Sequence, residues 1–288
     1  MSSSRRGLFR AAAEAAARAA APDQPPAPAE PDPVPGPALS DQELVRYSRQ
    51  LVLDGWGEAE QLRLRDASVL VVGAGALGSP VATYLVGAGV GSVGVVDDDT
   101  VDLSNLHRQH LHFTPDVGQP KAHTAVAKLQ FLNPDVAVEP YQVRFAPDNA
   151  EGLLLGHDLV VDCSDAFDTR YAVNAACCRA RTALVEGGVV GLSGLVMTIR
   201  PGESACYRCA FPAPPPPGAA PTCAQAGVLG PAAGVIGSLQ ALEALRLLAG
   251  LPGTLLDAFL QVDLATSDFL RVATARRADC PDCGVLDG

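Results

Sequence analysis

The sequence predicts an α/β fold built on a doubly wound, mostly parallel sheet that antiparallel strands extend at one end. Three observations carry this. Short β-branched runs alternate with amphipathic helical segments from about residue 68 to 185, the rhythm of parallel strands joined by crossover helices. Glycines at 73, 75 and 78 stand directly between one such run and the helix that follows it. Beyond Val189 the rhythm changes to longer strands at 194–199, 255–263 and 269–273, interrupted by one long helix at 235–248.

Taken in order, residues 1–39 are a different material from the rest. The Ala-rich stretch 1–20 supports at most a weak helix over 8–20, and the prolines of 21–37 leave a solvated linker, so a disordered tail is expected. Ser4-Arg5-Arg6-Gly7-Leu8-Phe9 faintly resembles a twin-arginine export signal, but Glu14 and Arg18 interrupt the apolar segment such a signal needs. Ser40 with Glu43 fits a capping box and predicts a helix over 40–51. Strands follow at 68–72, 92–97, 136–143, 158–162 and 182–185, with helices at 77–88, 120–131 and 169–179. The Pro/Gly-rich stretch 212–221 has no packing period and reads as an exposed, mobile loop that runs on to about 226. No internal repeat is evident, and Trp56 reads as a packing anchor for the first helices.

Bulk properties narrow the function classes. A chain of 288 residues, 48% of them hydrophobic, can bury one large core. A formal net charge of -11 argues against DNA or RNA as partners, although a few local cations and helix ends still suffice for a nucleotide. No run reaches the roughly 18 apolar residues of a membrane span, so no membrane partner is expected. Eight cysteines are too few for a disulfide scaffold at this length. Four of them form two CxxC pairs, Cys206/Cys209 and Cys280/Cys283, which together offer the four sulfurs of a tetrahedral Zn²⁺ site in a reducing cytoplasm. Such a site would staple the C-terminal segment to the body.

Gly73-Ala74-Gly75-Ala76-Leu77-Gly78 is G-x-G-x-x-G between a strand and a helix, a turn that lets backbone N–H groups approach a phosphate. Asp97 ends the next strand, where a carboxylate can grip ribose hydroxyls. These features alone read as NAD binding. Arg108 in Ser104-Asn105-Leu106-His107-Arg108-Gln109, Lys121 at the next helix and Arg49 upstream change the reading. A triphosphate under attack needs such cations as pyrophosphate leaves, whereas a redox dinucleotide does not. Asp165 falls at the carboxyl edge of the sheet and could hold Mg²⁺ against the phosphates, assisted by Asp99, while Asp98 reads as a solvated turn residue. His107, His110 and His112 lack an obvious fourth ligand and read as no metal site; Cys163, Cys177 and Cys178 read as packing residues.

The chain closely resembles the MoeB/ThiF family of adenylyltransferases that activate ubiquitin-like sulfur carriers. The resemblance runs from about Leu39 to Gly284, essentially the whole of the expected domain at 40–288, through RYSRQ (46–50), VVGAGALG (71–78), VVDDDTVDLSNLHRQ (95–109), DVGQPK (116–121), VDCSD (161–165), CYRC (206–209), TCAQAGVLGP (222–231), GVIGSLQALEALRLL (234–248) and CPDCG (280–284). It implies a cytoplasmic homodimer that uses ATP and Mg²⁺ to adenylylate the C-terminal Gly-Gly carboxylate of a small ubiquitin-fold carrier. The adenylate later becomes a thiocarboxylate, as in molybdopterin or thiazole synthesis. By the same resemblance Ala76 lies over the phosphates with Gly73, Gly75 and Gly78, and Asp97 binds ribose. Ser104, Asn105, Arg108 and Lys121 belong to the nucleotide site. Arg49 reaches into the partner subunit's site, Asp165 is the essential acid, and the paired cysteines bind structural zinc. Cys223 is a candidate for a covalent link to the carrier.

Two positions depart from the family pattern. Ala76 replaces a loop glycine, and Ala166 stands where Asn usually follows the acid. Ala166 leaves room for a non-catalytic carrier-binding member; an NAD-dependent oxidoreductase is the other alternative, but it leaves Arg49, Arg108 and Asp165 unexplained. The chain runs out just after the second CxxC, at Gly288, so sulfur is expected from a separate donor protein. The zinc clamp is expected to serve the carrier-handling side before the ATP side.

Overall fold

A computed structural model describes residues 38–216 and 226–287. The tail 1–37 and most of the predicted 212–226 loop, Cys223 included, lie outside the described residues. Along the chain the elements are α1 (Asp41–Arg46), α2 (Glu58–Asp66), β1 (Ser68–Val72), α3 (Gly78–Ala88), β2 (Ser92–Val96), α4 (Lys121–Leu132), β3 (Ala137–Tyr141), α5 (Ala150–Leu154) and β4 (Leu159–Asp162). After them come α6 (Phe167–Ala180), β5 (Ala183–Val190), β6 (Ser193–Ile199), α7 (Tyr207–Ala210), α8 (Gly230–Leu248), β7 (Ala258–Asp263) and β8 (Asp268–Ala273).

Among the described residues the strands form one sheet in the order β3-β2-β1-β4-β5-β6-β7-β8. The first five in that order are parallel, and β6, β7 and β8 add on antiparallel, as the change of rhythm after Val189 predicts. The parallel part is buried on both faces because its runs have no polar alternation. Val69 and Val71 point into a cluster with residues of α3, α4 and α8, while Leu70 and Val72 point into a second cluster with α5 and α6. That alternation is the period of a strand, and it makes the sheet the middle layer of three. Pro140, which cannot donate to a ladder, sits in β3 at the sheet's edge.

Most element boundaries fall within two or three residues of expectation; three differ further, each for a tertiary reason. The capping box of Ser40 and Glu43 forms, but α1 stops at Arg46 and not at 51. Residues beyond it turn because Asn133 Nδ2 donates to Tyr47 Oη at 3.0 Å and Gln50 Nε2 donates to the Ala88 carbonyl at 3.0 Å. α8 starts at Gly230, ahead of the predicted 235, with Pro231 in the first turn where a missing N–H leaves nothing unpaired. β5 runs on to Val190 because β6 returns along it, pairing Leu184 with Ile199 through to Val190 with Ser193. The short helices α2, α5 and α7 add to the expected elements; Trp56, just before α2, packs partly buried against the first cluster.

α8 crosses α3 closely. A Cβ on Gly237 would lie 2.5 Å from Pro80 Cγ and 2.7 Å from the Leu77 carbonyl oxygen, whereas one on Gly234 would meet nothing within 4 Å. Gly237→Ala should therefore lower unfolding stability by about 1–3 kcal/mol through overpacking. Gly234→Ala, in the same helix, should raise it by up to about 1 kcal/mol; denaturant titration of both variants reads the contrast.

Candidate nucleotide site and cysteine cluster

The strand order reverses between β1 and β4, and there the carboxyl ends of the strands part to open a crevice. One wall is the turn from β1 to α3, with Gly73, Gly75, Ala76 and Leu77 lining it. Gly73 has φ +99°, and a Cβ there would press on the Cys163 carbonyl at 3.0 Å. At Gly78 a Cβ would fall 1.8 Å from the Gly73 carbonyl oxygen, so no other residue closes this turn. Gly75 faces only the Gln109 side chain, 3.6 Å from its built Cβ, and so leaves the backbone open to a ligand. The turn aims the N-terminus of α3 at the crevice; in its first turn Ser79 N donates to the Gly75 carbonyl at 3.0 Å and Pro80 has no N–H, so the amides left for a ligand are those of the glycine turn itself.

Asp97 holds this turn in place. Its Oδ2 accepts from the Ala74 amide at 2.7 Å and its Oδ1 from the Asp99 amide at 2.8 Å. Burial pushes its pKa above the ordinary carboxylate value against the pull of those amides and of Lys121. Each oxygen retains a second lone pair, so Asp97 can still accept from a ligand hydroxyl. Lys121 is buried and donates Nζ to Asp99 Oδ2 at 2.8 Å. Arg108 lines the crevice with Nη1 anchored on the Ser104 carbonyl at 2.9 Å. Asp98 lines the same wall, exposed.

The loop after β4 forms the opposite wall, with Cys163, Ser164, Asp165 and Ala166 in the lining. Asp165 is exposed there, and among the described residues its carboxylate makes no ion pair or hydrogen bond. Cys163 is a buried thiol whose pKa burial pushes well above the ordinary value, which suits a packing residue. Ser104 and Asn105 are not part of the wall. Asn105 Oδ1 accepts from the Asp102 amide at 3.4 Å and Asp102 Oδ1 from the Ser104 amide at 2.8 Å, so these residues build the turn that presents Arg108. Arg49 sits on the exposed surface beyond α1, away from the crevice of its own chain.

The sequence assigns no role in the site to three residues that the structure places in or behind it. His112 is buried, with Nε2 2.9 Å from the Ala74 carbonyl and Nδ1 2.8 Å from Thr124 Oγ1. A carbonyl only accepts, so Nε2 carries the proton, and burial holds the imidazole pKa below its usual value. It is a brace behind the glycine turn, not a metal ligand. Gln109 is buried in the crevice wall. Arg170, on the first turn of α6, bridges Glu186 on β5 and the Ser164 carbonyl. No local pattern marks any of them, because their partners are distant in sequence.

The four paired cysteines converge as expected, all buried, with their sulfurs within 4.8 Å of one another. Cys206 Sγ lies 3.7 Å from Cys209 and 3.6 Å from Cys280, and Cys209 lies 3.4 Å from Cys283. Four sulfurs bonded to zinc at about 2.3 Å would stand roughly 3.8 Å apart, so the donor set fits the ion. The turns are also clasped directly. Asp282 Oδ2 accepts from Arg208 Nε at 2.8 Å and from Asn174 Nδ2 at 2.7 Å, and Asn174 Oδ1 accepts from the Tyr207 amide at 2.9 Å. Arg208 additionally stacks 4.6 Å over the Tyr171 ring. Cys177 and Cys178 are buried on α6 as expected.

A glycine turn, a helix N-terminus, a strand-end carboxylate and facing cations at the switch point of a doubly wound sheet have the layout of a nucleotide-binding α/β domain. More narrowly, the chain belongs to the ThiF family, which it matches over residues 47–285. It is 50% identical over 248 residues to the sulfur carrier protein adenylyltransferase of Thermus thermophilus, covering 84% of this chain and 92% of that protein. It is 44% identical to the SAMP-activating enzyme E1 of Haloferax volcanii, covering 86% of this chain and 91% of that one. The adenylyltransferase and sulfurtransferase MOCS3 of Sus scrofa is 46% identical, and there the alignment takes in 87% of this chain but 55% of the longer relative. Among solved structures, E. coli MccB with MccA-N7isoASN superposes with a TM-score of 0.75 at 21% identity, over 83% of this chain and 74% of that one, a likeness of fold. No described helix is long and apolar enough to cross a membrane.

Ala166 is the N-cap of α6, in extended conformation (φ -101°, ψ 128°) and without a side-chain cap. Ala166→Asn should therefore stabilise the protein by about 0.5–2 kcal/mol, seen as a rise in the thermal midpoint.

Proposed function

We propose that this chain adenylylates the C-terminal Gly-Gly carboxylate of a small ubiquitin-fold sulfur carrier with ATP, releasing pyrophosphate. The observation that carries the reading is the charge layout of the crevice, with Arg108, Lys121 and the glycine turn on one side and the exposed acid Asp165 on the other. The names of its relatives at 44–50% identity support it. An NAD-dependent redox reading would leave that acid and those cations without a task.

In this reading a carboxylate oxygen of the carrier attacks the α-phosphorus, and the bond to the pyrophosphate oxygen breaks. The carrier supplies the nucleophile, so the protein contributes position and charge. The α3 N-terminus and the amides of the glycine turn hold phosphate oxygens, and Arg108 and Lys121 neutralise the charge that grows on the leaving pyrophosphate. Ser104 and Asn105 contribute through the turn that seats Arg108. Asp97 accepts from the ribose while bracing the turn. Asp165 and Asp99 would hold Mg²⁺, which when bound screens the phosphates. The four cysteines would hold Zn²⁺ as a structural cross-link. Arg49, flanked by exposed Val45 and Val52, would act across a homodimer contact. A separate donor would supply the sulfur that turns the adenylate into a thiocarboxylate, with Cys223 a candidate for the covalent handover.

ATP–pyrophosphate exchange in the presence of a Gly-Gly carrier tests the reading directly. Asp165→Ala should reduce exchange about 100-fold or more with circular dichroism and unfolding midpoint unchanged; undiminished exchange would remove Asp165 from its assigned role. Elemental analysis should find one zinc per chain, and Cys283→Ser should lower both zinc content and stability. Protein purified without chelator and free of metal would refute the clamp.

A further inference from the structure

Behind the loop that carries Asp165 lies a group of ionisable side chains cut off from water. Asp162 ends β4 and Glu186 stands directly opposite it on β5, and both are 0% exposed. As paired residues of adjacent parallel strands they project from the same face of the sheet, which makes the two carboxyl groups neighbours. Asp162 Oδ1 accepts from the Ser164 amide at 2.8 Å, and Glu186 Oε1 accepts from Arg170 Nη1 at 2.9 Å. The other two oxygens, Asp162 Oδ2 and Glu186 Oε2, are buried with no donor. Ionised carboxylates only accept, so two of them side by side would leave both oxygens unpaired. They would also set two negative charges against the one positive charge of Arg170, a burial that costs several kcal/mol per uncompensated ion.

We propose that Asp162 and Glu186 share a single proton through these two oxygens, and that with Arg170 they form a neutral buried anchor that positions the Asp165 loop. One proton satisfies both orphaned atoms and reduces the pair to one negative charge, which the guanidinium balances. Burial pushes the Glu186 pKa well above the usual carboxylate range; neighbouring Asp162 adds to the rise, and Arg170 opposes it. The anchor reaches the loop through one residue. Arg170 Nη2 donates to the Ser164 carbonyl at 2.7 Å while Asp162 Oδ1 takes the Ser164 amide, so the backbone next to Asp165 is held at both polar atoms.

The neighbouring sequence is shaped to admit this arrangement. A Cβ on Gly188 would come within 2.6 Å of Arg170 Nη1. One on Gly187 would come within 2.1 Å of Gln240, whose Nε2 donates to the Asp162 carbonyl at 2.7 Å. Glu186-Gly187-Gly188 thus supplies the acid, the space for the amide and the space for the guanidinium. Asp162 and Glu186 are positioning residues, since neither lines the crevice. Their functional part rests on the role proposed for Asp165.

The test uses the full chain and reads the proton apart from the activity. Infrared spectroscopy at neutral pH should show the carbonyl stretch of a protonated carboxyl that disappears in both Glu186→Gln and Asp162→Asn. In exchange assays Glu186→Ala should lower kcat by about tenfold or more, the scale of a misplaced reacting group, with the KM for ATP within about threefold. Glu186→Gln, whose amide reproduces the shared hydrogen bond, should restore kcat. The double variant D162N/E186Q, which leaves Arg170 without an anion, should fall below either single one. No protonated-carboxyl band in the parent protein, or a band that persists in both single variants, overturns the shared proton. Equal kcat for Glu186→Ala and Glu186→Gln overturns the positioning role. If Glu186→Ala does not fold, the infrared comparison and the double variant decide. Failure of exchange in the parent protein itself counts against the proposed function and leaves the infrared result standing.

Discussion

A guanidinium enclosed between two strand ends must find its counter-charge within the span of its own nitrogens, and Arg170 sets the terms on which the crevice is built. An uncompensated buried ion costs several kcal/mol, so the acid on β5 and the carbonyl on the β4 loop are fixed wherever Arg170 is fixed. Because Arg170 belongs to α6, its two bonds also fix how that helix meets the sheet. The loop between β4 and α6, with Asp165 on it, has little freedom left. The glycine turn on the other wall is held in the same manner, by Asp97 from one side and His112 from the other. Both walls are therefore backbone held by buried polar side chains, a preformed frame for a phosphate chain.

α6 also joins two regions that sequence analysis treats as separate. Arg170, Asn174 and Cys178 fall at i, i+4 and i+8, one stripe of the helix. Arg170 serves the crevice, while Asn174 binds both cysteine turns through Tyr207 and Asp282. The expectation that the metal clamp concerns the carrier side first takes no account of this shared helix. The clasp of Arg208 and Asp282 adds a cross-link between the two turns that is independent of any ion.

Much of the frame was legible because it depends on near neighbours. The β-branched run at 68–72 emerges as β1 with the predicted bounds, and the glycines of the turn occupy the strand–helix junction that their spacing predicts. Within each CxxC pair one tight turn keeps the sulfurs together, whereas the meeting of the two pairs, 74 residues apart, is the work of the tertiary fold. What could not be read depends on partners far along the chain. The end of α1 is decided by Asn133 and Ala88, the task of His112 by Ala74, and the burial of Glu186 by strand pairing that only the sheet order reveals. Ser104 and Asn105 show the reverse. Their motif marks the region correctly, but their polar groups are used in shaping the turn, and Arg108 alone of the three lines the crevice.

Arg170 and Asn174 are four positions apart on α6, about 6 Å along its axis. The same rigid rod thus carries the acid's support at one end and the cysteine clasp further along it. Tolerance to change is shared between the two places. The helix that presents Arg170 to the acid's loop is thus the one that Asn174 ties to both cysteine turns, so the two regions share one support.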